Sequence, residues 1–390
     1  MQEQELVERI RALVPMVAAH AAQAERERKP VDAVMQAIED TGAYKFFVPK
    51  RYGGYEFSLT SFMEIGMLLG EGCLSTGWVV TFCMEHNWLL GLFNKQAQDD
   101  IFGRQPYIIA PGALAPKGTA TPVDGGYRIS GRWEWGTGVM HADWVMVGAL
   151  TAGGDPEAPE LCMYLIPRDQ VKVLDTWHVA GMVGTGSNDI EVTDVVVPGH
   201  RRQNIADMRG GGSPGAELHG SATYRMPMMP VLGLTAAAPA VGAARKAVAL
   251  FRERLSSRGV YGTQEKQAQR AMAQARLANA QVAVENAETL LMHIAGQVMA
   301  WGEKGRSGRR CETEDRAHLR LQIATVVRQA RDVVRAVVEA SGAHAHFLDS
   351  PLQRSLRDLH TLSCHTVFDM DVGAELYGRL LLGFSPNAPV

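Results

Sequence analysis

Residues 124–149 read DGGYRISGRWEWGTGVMHADWVMVGA, and the character of this stretch decides how the rest of the chain is divided. Asp124-Gly125-Gly126 is a hairpin-turn signal, because glycine tolerates positive φ. Tyr127–Ser130 and Trp144–Leu150 are short alternating or apolar runs of strand type. Between them, Trp135-Gly136-Thr137-Gly138 forms a glycine-rich corner, where small residues let a ligand approach the backbone. Helical periodicity is absent here, and it stays absent over residues 105–210. Three further strand-like runs, Leu161–Ile166, Val171–Leu174 and Ile190–Val197, are separated by the turn-rich AGGDPEAPE, PRDQ and GTGSND. A mostly antiparallel β-domain, sandwich or barrel, is expected over 105–210.

On the N-terminal side, residues 1–104 read as a helical domain. Leu6, Ile10, Leu13, Val17 and Ala21 recur at helical spacing. Asp32 is placed to cap a helix that runs to Thr41 and stops at Gly42. FFVPKRYGGYE is a loop rich in turn signals, and Ser61–Gly70 and Ser75–Phe93 are apolar on most sides, as buried helices are. On the C-terminal side, residues 211–390 return to long helical patterns. Ala236–Leu255, Gln267–Trp301, Asp315–Ala340 and about Thr366–Leu382 predict an antiparallel four-helix bundle. In the second of these, Leu277, Ala280, Val284, Ala287, Leu291, Ile294 and Val298 share one face. Arg209–Gly215 (RGGGSPG) is expected to be a flexible linker. The fold class is therefore α+β, in the order helices, strands, helix bundle.

Composition narrows the functions. A net charge of -3 over 390 residues gives no general attraction to nucleic acid or anionic membrane. MQEQELVERIRALV has no apolar core of the secretory kind, and no charge-free stretch reaches membrane-spanning length. Cys73, Cys83, Cys162, Cys311 and Cys364 are odd in number and form no CxxC pair, which points to reduced thiols in the cytoplasm rather than disulfides or zinc. His344 and His346 lack nearby ligands at metal spacing, so no metal is expected. GxGxxG, GxxxxGK[ST], HExxH and GxSxG are all missing; GTGSND lacks the third glycine and precedes a strand.

Three ordered stretches resemble the flavin-dependent monooxygenases of acyl-CoA dehydrogenase fold. This group includes the oxygenase components of 4-hydroxyphenylacetate hydroxylase, a steroid-pathway phenol hydroxylase and dibenzothiophene monooxygenase. MEHNWLLGLFNKQAQDDIFG (Met84–Gly103) resembles the family's H-x-W-x-x-x-L-F helix and its Gln/Asp-rich turn. DGGYRISGRWEWGTGVMHADW is similar to the family's D-G-G-Y-x-[VL]-S-G-x-W block, and GMVGTGSNDIEV (Gly181–Val192) to its G-[ML]-R-G-T-G-S-x-D block, with Val183 in place of the basic residue. SGAHAHFLDSPLQRSLRDLHTLSCHTVFD (Ser341–Asp369) resembles the P-L-Q-R-x-x-R-D block with its terminal histidine. The similarity runs over nearly the whole chain.

The resemblance implies roles. Thr137 would bond the flavin ring near N5, with Trp135 beside it; the other reading makes Trp133 and Trp135 core of a β-corner. Ser187 would add a flavin-side hydrogen bond, or sit in a plain β-turn. His365 would face the flavin and accept the phenol proton. His86 would stand at the substrate side, or be a buried histidine satisfied by a carbonyl. Arg258, in SSRGVYG, resembles the arginine by which this fold holds a flavin phosphate, a role that suits a bidentate guanidinium, or it is a surface arginine at a helix end. Arg354 and Arg357 are expected to pair with acids such as Asp358 or Asp349. Phe82, Trp88 and Trp135 would keep the pocket dry.

Implied with these are reduced flavin (FMNH2 or FADH2) from a separate reductase, O2, a C4a-hydroperoxide, and hydroxylation of a small aromatic, phenolic substrate. A homotetramer is also implied. The oxidising relatives of the fold carry a carboxylate base in a Y-E-G-T-like segment that is missing here, and an imidazole suits a phenol better. An acyl-CoA dehydrogenase-like enzyme, an N- or S-oxygenase on the same scaffold, and a helical scaffold without flavin chemistry are the competing readings.

Overall fold

The computed structural model describes every residue except 152–158, 305–308, 310 and 389–390. The AGGDPEAPE turn therefore lies outside the described residues, apart from Pro159 and Glu160.

Five helices form the N-terminal part: α1 (Glu3–Glu27), α2 (Asp32–Asp40), α3 (Leu59–Gly72), α4 (Leu74–Gly91) and α5 (Lys95–Phe102). The amphipathic stripe of α1 buries Leu6, Ile10, Val17 and Ala21 as its spacing predicts. Asp32 opens α2 instead of capping it; Val31 holds the cap position, and Asp32 spends its carboxylate on Lys29 at 2.7 Å. α3 begins at Ser58, whose Oγ accepts from the Ser61 amide. α4 is buried almost along its whole length. The Gln/Asp-rich segment after it is a helix, not a turn, because Asn94 Oδ1 caps the Ala97 amide at 3.0 Å.

Among the described residues the central sheet has seven strands: β1 (Gly112–Val123), β2 (Gly126–Trp133), β3 (Trp144–Thr151), β4 (Glu160–Pro167), β5 (Lys172–Leu174), β6 (Asp189–Pro198) and β7 (Arg202–Asn204). Their order is β5-β6-β2-β1-β3-β4-β7. Neighbours are antiparallel except β1 and β3, which run parallel. The DGG turn joins β1 to β2, with Val123 opposite Gly126. Strand β1 escapes sequence reading. Its GALAPKGTATPV lacks alternating large apolar residues, and its register against β3 shifts between Ala113 and Gly118. Ile129, Trp133, Val145, Val147, Tyr164, Ile166 and Ile190 make the sheet's own core. Trp133 donates its indole N–H to the Gly148 carbonyl at 2.7 Å, which satisfies the one polar atom of a fully buried ring.

Two short helices, α6 (Ile205–Arg209) and α7 (Pro214–His219), lead to the C-terminal bundle. The glycine run between them is a packed joint rather than a flexible linker. Ser213 is buried and caps α7, and the Gly215 amide donates to the Leu92 carbonyl at 3.1 Å. A methyl group at Gly215 would overlap the Gly91 carbonyl, so this backbone approach requires glycine.

The bundle contains α8 (Met228–Ser257), α9 (Ala271–Lys304), α10 (Thr313–Ser341), α11 (Pro351–Leu362) and α12 (Met370–Leu381). Among the described residues α8 alone is long and apolar enough to cross a membrane, yet 78% of that window is buried inside the protein, as in a core helix. Its alanines let α3 and α10 pack closely. Arg245 ties it to α9 through Glu288 and to α3 through Glu71 at 3.2 Å. The stripe expected on α9 is the buried one, except that Leu277 remains partly open. Truncating a member such as Ile294 to alanine is expected to cost about 2–5 kcal/mol, from lost burial plus the cavity left behind. All five cysteines are free thiols.

Candidate active site

Helix α4 supplies the floor. Trp78, Phe82 and His86 are spaced i, i+4, i+8 and so share one face. Their rings form a column: Trp78 and Phe82 have centroids 4.6 Å apart, and Phe82 and His86 meet edge-on at 5.6 Å. The His365 ring stands edge-on to Trp78 at 5.7 Å. Sequence reading missed Trp78, although its four-residue spacing from Phe82 and His86 was visible. Trp88 lies on another side of α4. It is fully buried and donates to the Thr223 carbonyl at 2.7 Å, so it anchors the entry to the bundle instead of lining this column.

The strand-built wall is a corner between β2 and β3. Trp135 adopts the left-handed region at φ 62°, a conformation costing of order 1–3 kcal/mol for a non-glycine residue. Two bonds impose it: the Gly136 amide donates to Asn188 O at 3.0 Å, and the Thr137 amide donates to Trp135 O at 2.8 Å. The result is an indole held 62% exposed beside buried Thr137. Trp133 is core, and Trp135 is not.

Thr137 Oγ1 lies 3.0 Å from Ser187 Oγ, which lies 2.9 Å from Thr185 Oγ1. Trp78 Nε1 donates to Thr137 Oγ1 at 3.4 Å, so the ring column and the corner meet at Trp78. Thr185 and Trp78 are the members of this group that sequence reading did not single out. Thr185 sits inside the quoted GTGSND motif, but nothing in its spacing distinguishes it from its neighbours.

The loop carrying Thr185 and Ser187 is pinned from the bundle. Met182 has φ 57°; its amide donates to Asp358 Oδ1 at 2.6 Å, and its carbonyl accepts from Thr185 Oγ1 and Trp177 Nε1 at 2.9 and 3.0 Å. A methyl at Gly181 would overlap the Arg357 carbonyl, so loop and helix touch backbone to backbone. Ser75 Oγ donates to Asp358 Oδ2 at 3.4 Å. Burial pushes the Asp358 carboxyl up to about 6, partly offset by the Met182 amide. Arg354 and Arg357 pair with neither Asp358 nor Asp349. Both reach Glu25 on α1, at 2.9 and 2.5 Å, because Asp358 faces the interior while the arginines face α1.

The two histidines differ in orientation. His86 is buried, and Nδ1 lies 2.5 Å from the Ala110 carbonyl. A carbonyl only accepts, so Nδ1 carries the proton and Nε2 is an acceptor. Burial lowers its pKa to about 4, which leaves the ring neutral, and raises that of Glu85, whose Oε2 is 3.6 Å from Nε2. Each reading of His86 is partly visible: a carbonyl satisfies it, and its ring ends the column. His365 caps a 3-10 turn, with Nδ1 accepting from the Val367 amide at 3.3 Å. That bond leaves the proton on Nε2, so the neutral ring offers a donor. Surrounding protein lowers its pKa to about 4; a solvent-open edge tempers the shift without reversing its direction.

Arg258 stands apart from this group. With Arg254 it donates to the Ser341 carbonyl at the end of α10, its own bond being 3.1 Å long. Among the described residues no three His, Cys, Asp or Glu side chains gather as metal ligands would. The residues present fit a flat heteroaromatic group. The Thr137 hydroxyl and the His365 imidazole both contact Trp78, and the exposed Trp135 indole lies two residues before Thr137 in the chain.

The family model for the acyl-CoA dehydrogenase C-terminal domain matches residues 234–370. A pigment production hydroxylase of Rhodococcus sp. (strain ATCC 21145) is 36% identical over 99% of this chain and 98% of its own length. The oxygenase subunit HsaA of a flavin-dependent monooxygenase from Rhodococcus jostii (strain RHA1) is 31% identical, covering 95% and 97%. The crystal structure of XiaF from Streptomyces sp. with FADH2 and glycerol superposes with a TM-score of 0.91 at 29% identity, covering 99% and 97%.

Proposed function

The chain belongs to the oxygenase components of flavin-dependent monooxygenases with acyl-CoA dehydrogenase fold, and from that premise we propose that it hydroxylates a phenolic aromatic in the cleft between Thr137 and His365. The overall balance is aromatic C–H plus O2 plus reduced flavin, giving aromatic C–OH, oxidised flavin and water. Reduced flavin, when bound, supplies the activation of O2.

The chain's own residues do the rest. The Trp135 indole offers a stacking face for the ring system, and Thr137 and Ser187 offer hydrogen bonds to its polar edge. His365 orients the phenolic oxygen. With its proton on Nε2 it donates to that oxygen and stabilises negative charge developing there. This differs from the role the resemblance implied, in which it takes the phenol proton. His86 closes the inner end of the ring column as a neutral acceptor. Trp78 and Phe82 exclude water from the reacting side, where water would release peroxide instead of product. Among the described residues Arg258 and Arg254 have no carboxylate as a bonded partner, and Arg258 suits a flavin phosphate.

One observation carries this reading: the hydroxyl wall and the imidazole wall both contact a single ring, Trp78, at 3.4 Å and 5.7 Å. Sharing one ring brings the hydroxyl and imidazole groups close enough to serve two flat partners. The same reading takes reduced flavin from a separate reductase and places the enzyme in the cytoplasm. It also makes the enzyme a homotetramer, assembled through bundle residues such as Val282, Leu382 and Phe384 that are exposed here.

The test is anaerobic titration with FMNH2 and FADH2, followed by admission of O2 with and without a simple phenol. The expected result is tight binding of at least one reduced flavin, and catechol formed in preference to hydrogen peroxide. An absence of affinity for both reduced flavins would sink the proposal.

A further inference from the structure

The hydroxyl wall has a direction, and its partners determine it. Thr185 Oγ1 lies 2.9 Å from the Met182 carbonyl, which can only accept, so Thr185 spends its hydrogen there. The 2.9 Å bond between Thr185 and Ser187 then requires Ser187 to donate. The 3.0 Å bond between Ser187 and Thr137 in turn requires Thr137 to donate. Trp78 Nε1, which can only donate, gives its hydrogen to Thr137. Every hydroxyl hydrogen in the row is committed toward Met182, and Thr137 is left with a lone pair and no free hydrogen.

The far end of the row is held firmly. Met182 sits in the left-handed region, with its amide on buried Asp358 and its carbonyl taking Trp177 Nε1 as well as Thr185. Asp358 lies on α11, four residues before the end of the helix that leads to His365. This one carboxyl therefore joins the loop behind the hydroxyl wall to the helix behind the imidazole wall.

We propose that Asp358, the Met182 peptide and Thr185 are a positioning unit that orients the hydroxyl row so that Thr137 presents an acceptor, not a donor, to the flavin. The consequence is discrimination between redox states. The flavin N5 carries a hydrogen when reduced and a bare lone pair when oxidised. A committed Thr137 matches the first and opposes the second, so the oxidised product is the weaker ligand. The inference rests on the reading that Thr137 meets the flavin at N5.

The measurement is the ratio of dissociation constants for oxidised and reduced flavin, each obtained by anaerobic titration without turnover. Thr185→Val removes the acceptor for Ser187, lets that hydrogen turn toward Thr137, and frees the Thr137 hydrogen for the cleft. The ratio is expected to fall about 10–100-fold, for one neutral hydrogen bond lost on one side and one gained on the other. Thr185→Ser keeps the row and the wild-type ratio. An unchanged ratio in Thr185→Val overturns the inference, and so does an equal fall in Thr185→Ser, which would assign the effect to packing. Should Thr185→Val fail to fold, Thr185→Ala removes the same acceptor for Ser187 and is read the same way. If wild type binds no reduced flavin, the functional reading fails; if wild type discriminates and the variants do so equally, only this inference fails.

Discussion

The two walls of the cleft are built on different principles. The strand wall is over-determined: Trp135 is forced into a costly backbone conformation by two amides, and Thr137, Ser187 and Thr185 commit every hydrogen they have. The helix wall holds its ring more lightly: the His365 backbone is bonded to Leu362 and Phe368, but the imidazole itself has one 3.3 Å bond from Val367 and two aromatic neighbours, Trp78 and Phe368. A rigid wall suits a ligand that must be held in one pose on every turnover. A yielding wall suits one that must enter and leave as substrate and product. Loss of the rigid wall should therefore change cofactor handling, and loss of the yielding wall should change chemistry alone.

The largest effect is expected from His365→Ala. Product formation should fall about 100-fold or more, in the range of a lost positioned proton-handling group, while reduced-flavin affinity stays within about twofold. Equal losses of both would erase the distinction between the walls. Thr137→Val is expected to do the reverse. Reduced-flavin affinity should fall about tenfold and peroxide released per flavin oxidised should rise, as measured by product and peroxide yields from a single turnover.

Trp135→Gly sharpens the comparison from the stability side. Glycine relieves the left-handed strain, so the denaturant midpoint should rise by the equivalent of about 1 kcal/mol while flavin affinity falls. A destabilised variant would show that the conformation carries no strain.

The smallest effect on rate is in pH dependence. His86 is pushed down to about 4 by burial, so it should add no limb to the rate profile between about 5.5 and 8, while the imidazole limb of solvent-open His365 should lie below its ordinary position. For stability, the folded pKa of His86 lies below its unfolded value, so the unfolded chain takes up the proton first. Stability is complete above about 6.5 and is lost as pH falls toward 4, by up to about 3 kcal/mol for this fully buried ring. Asp358 runs the other way, since its raised pKa is relieved by the same acidification. The urea midpoint of His86→Gln minus that of wild type, compared at pH 7 and pH 5, isolates the histidine and should grow more favourable at pH 5.

These expectations also mark what the chain disclosed before folding was known. Helices with a clear stripe, such as α1 and α9, were legible because burial follows periodicity. Strand β1 was not, since its glycines, prolines and alanines carry no large apolar alternation and only Ala113, Gly118 and Ala120 are buried. In the site, Thr137, Ser187 and His365 came from motif resemblance; Thr137 and His365 contact one ring, Trp78, and Ser187 is bonded to Thr137. What spacing cannot carry is direction across the fold. Glu25 meets Arg354 and Arg357 from more than three hundred residues away, and Trp88 turns from the column that its helix neighbours Trp78 and Phe82 build. The glycine run at 210–212 looked like slack; the buried Ser213 cap and Gly215 contact make it a joint.

Helix α4 has a consequence for how such an enzyme diversifies. Trp78 touches both walls, while Phe82 and His86 stand one and two turns farther along the same rigid rod. Trimming or enlarging position 82 would alter the depth of the recess while leaving its mouth untouched. New substrates could thus be acquired by single replacements along one rod, without retuning the parts that manage oxygen.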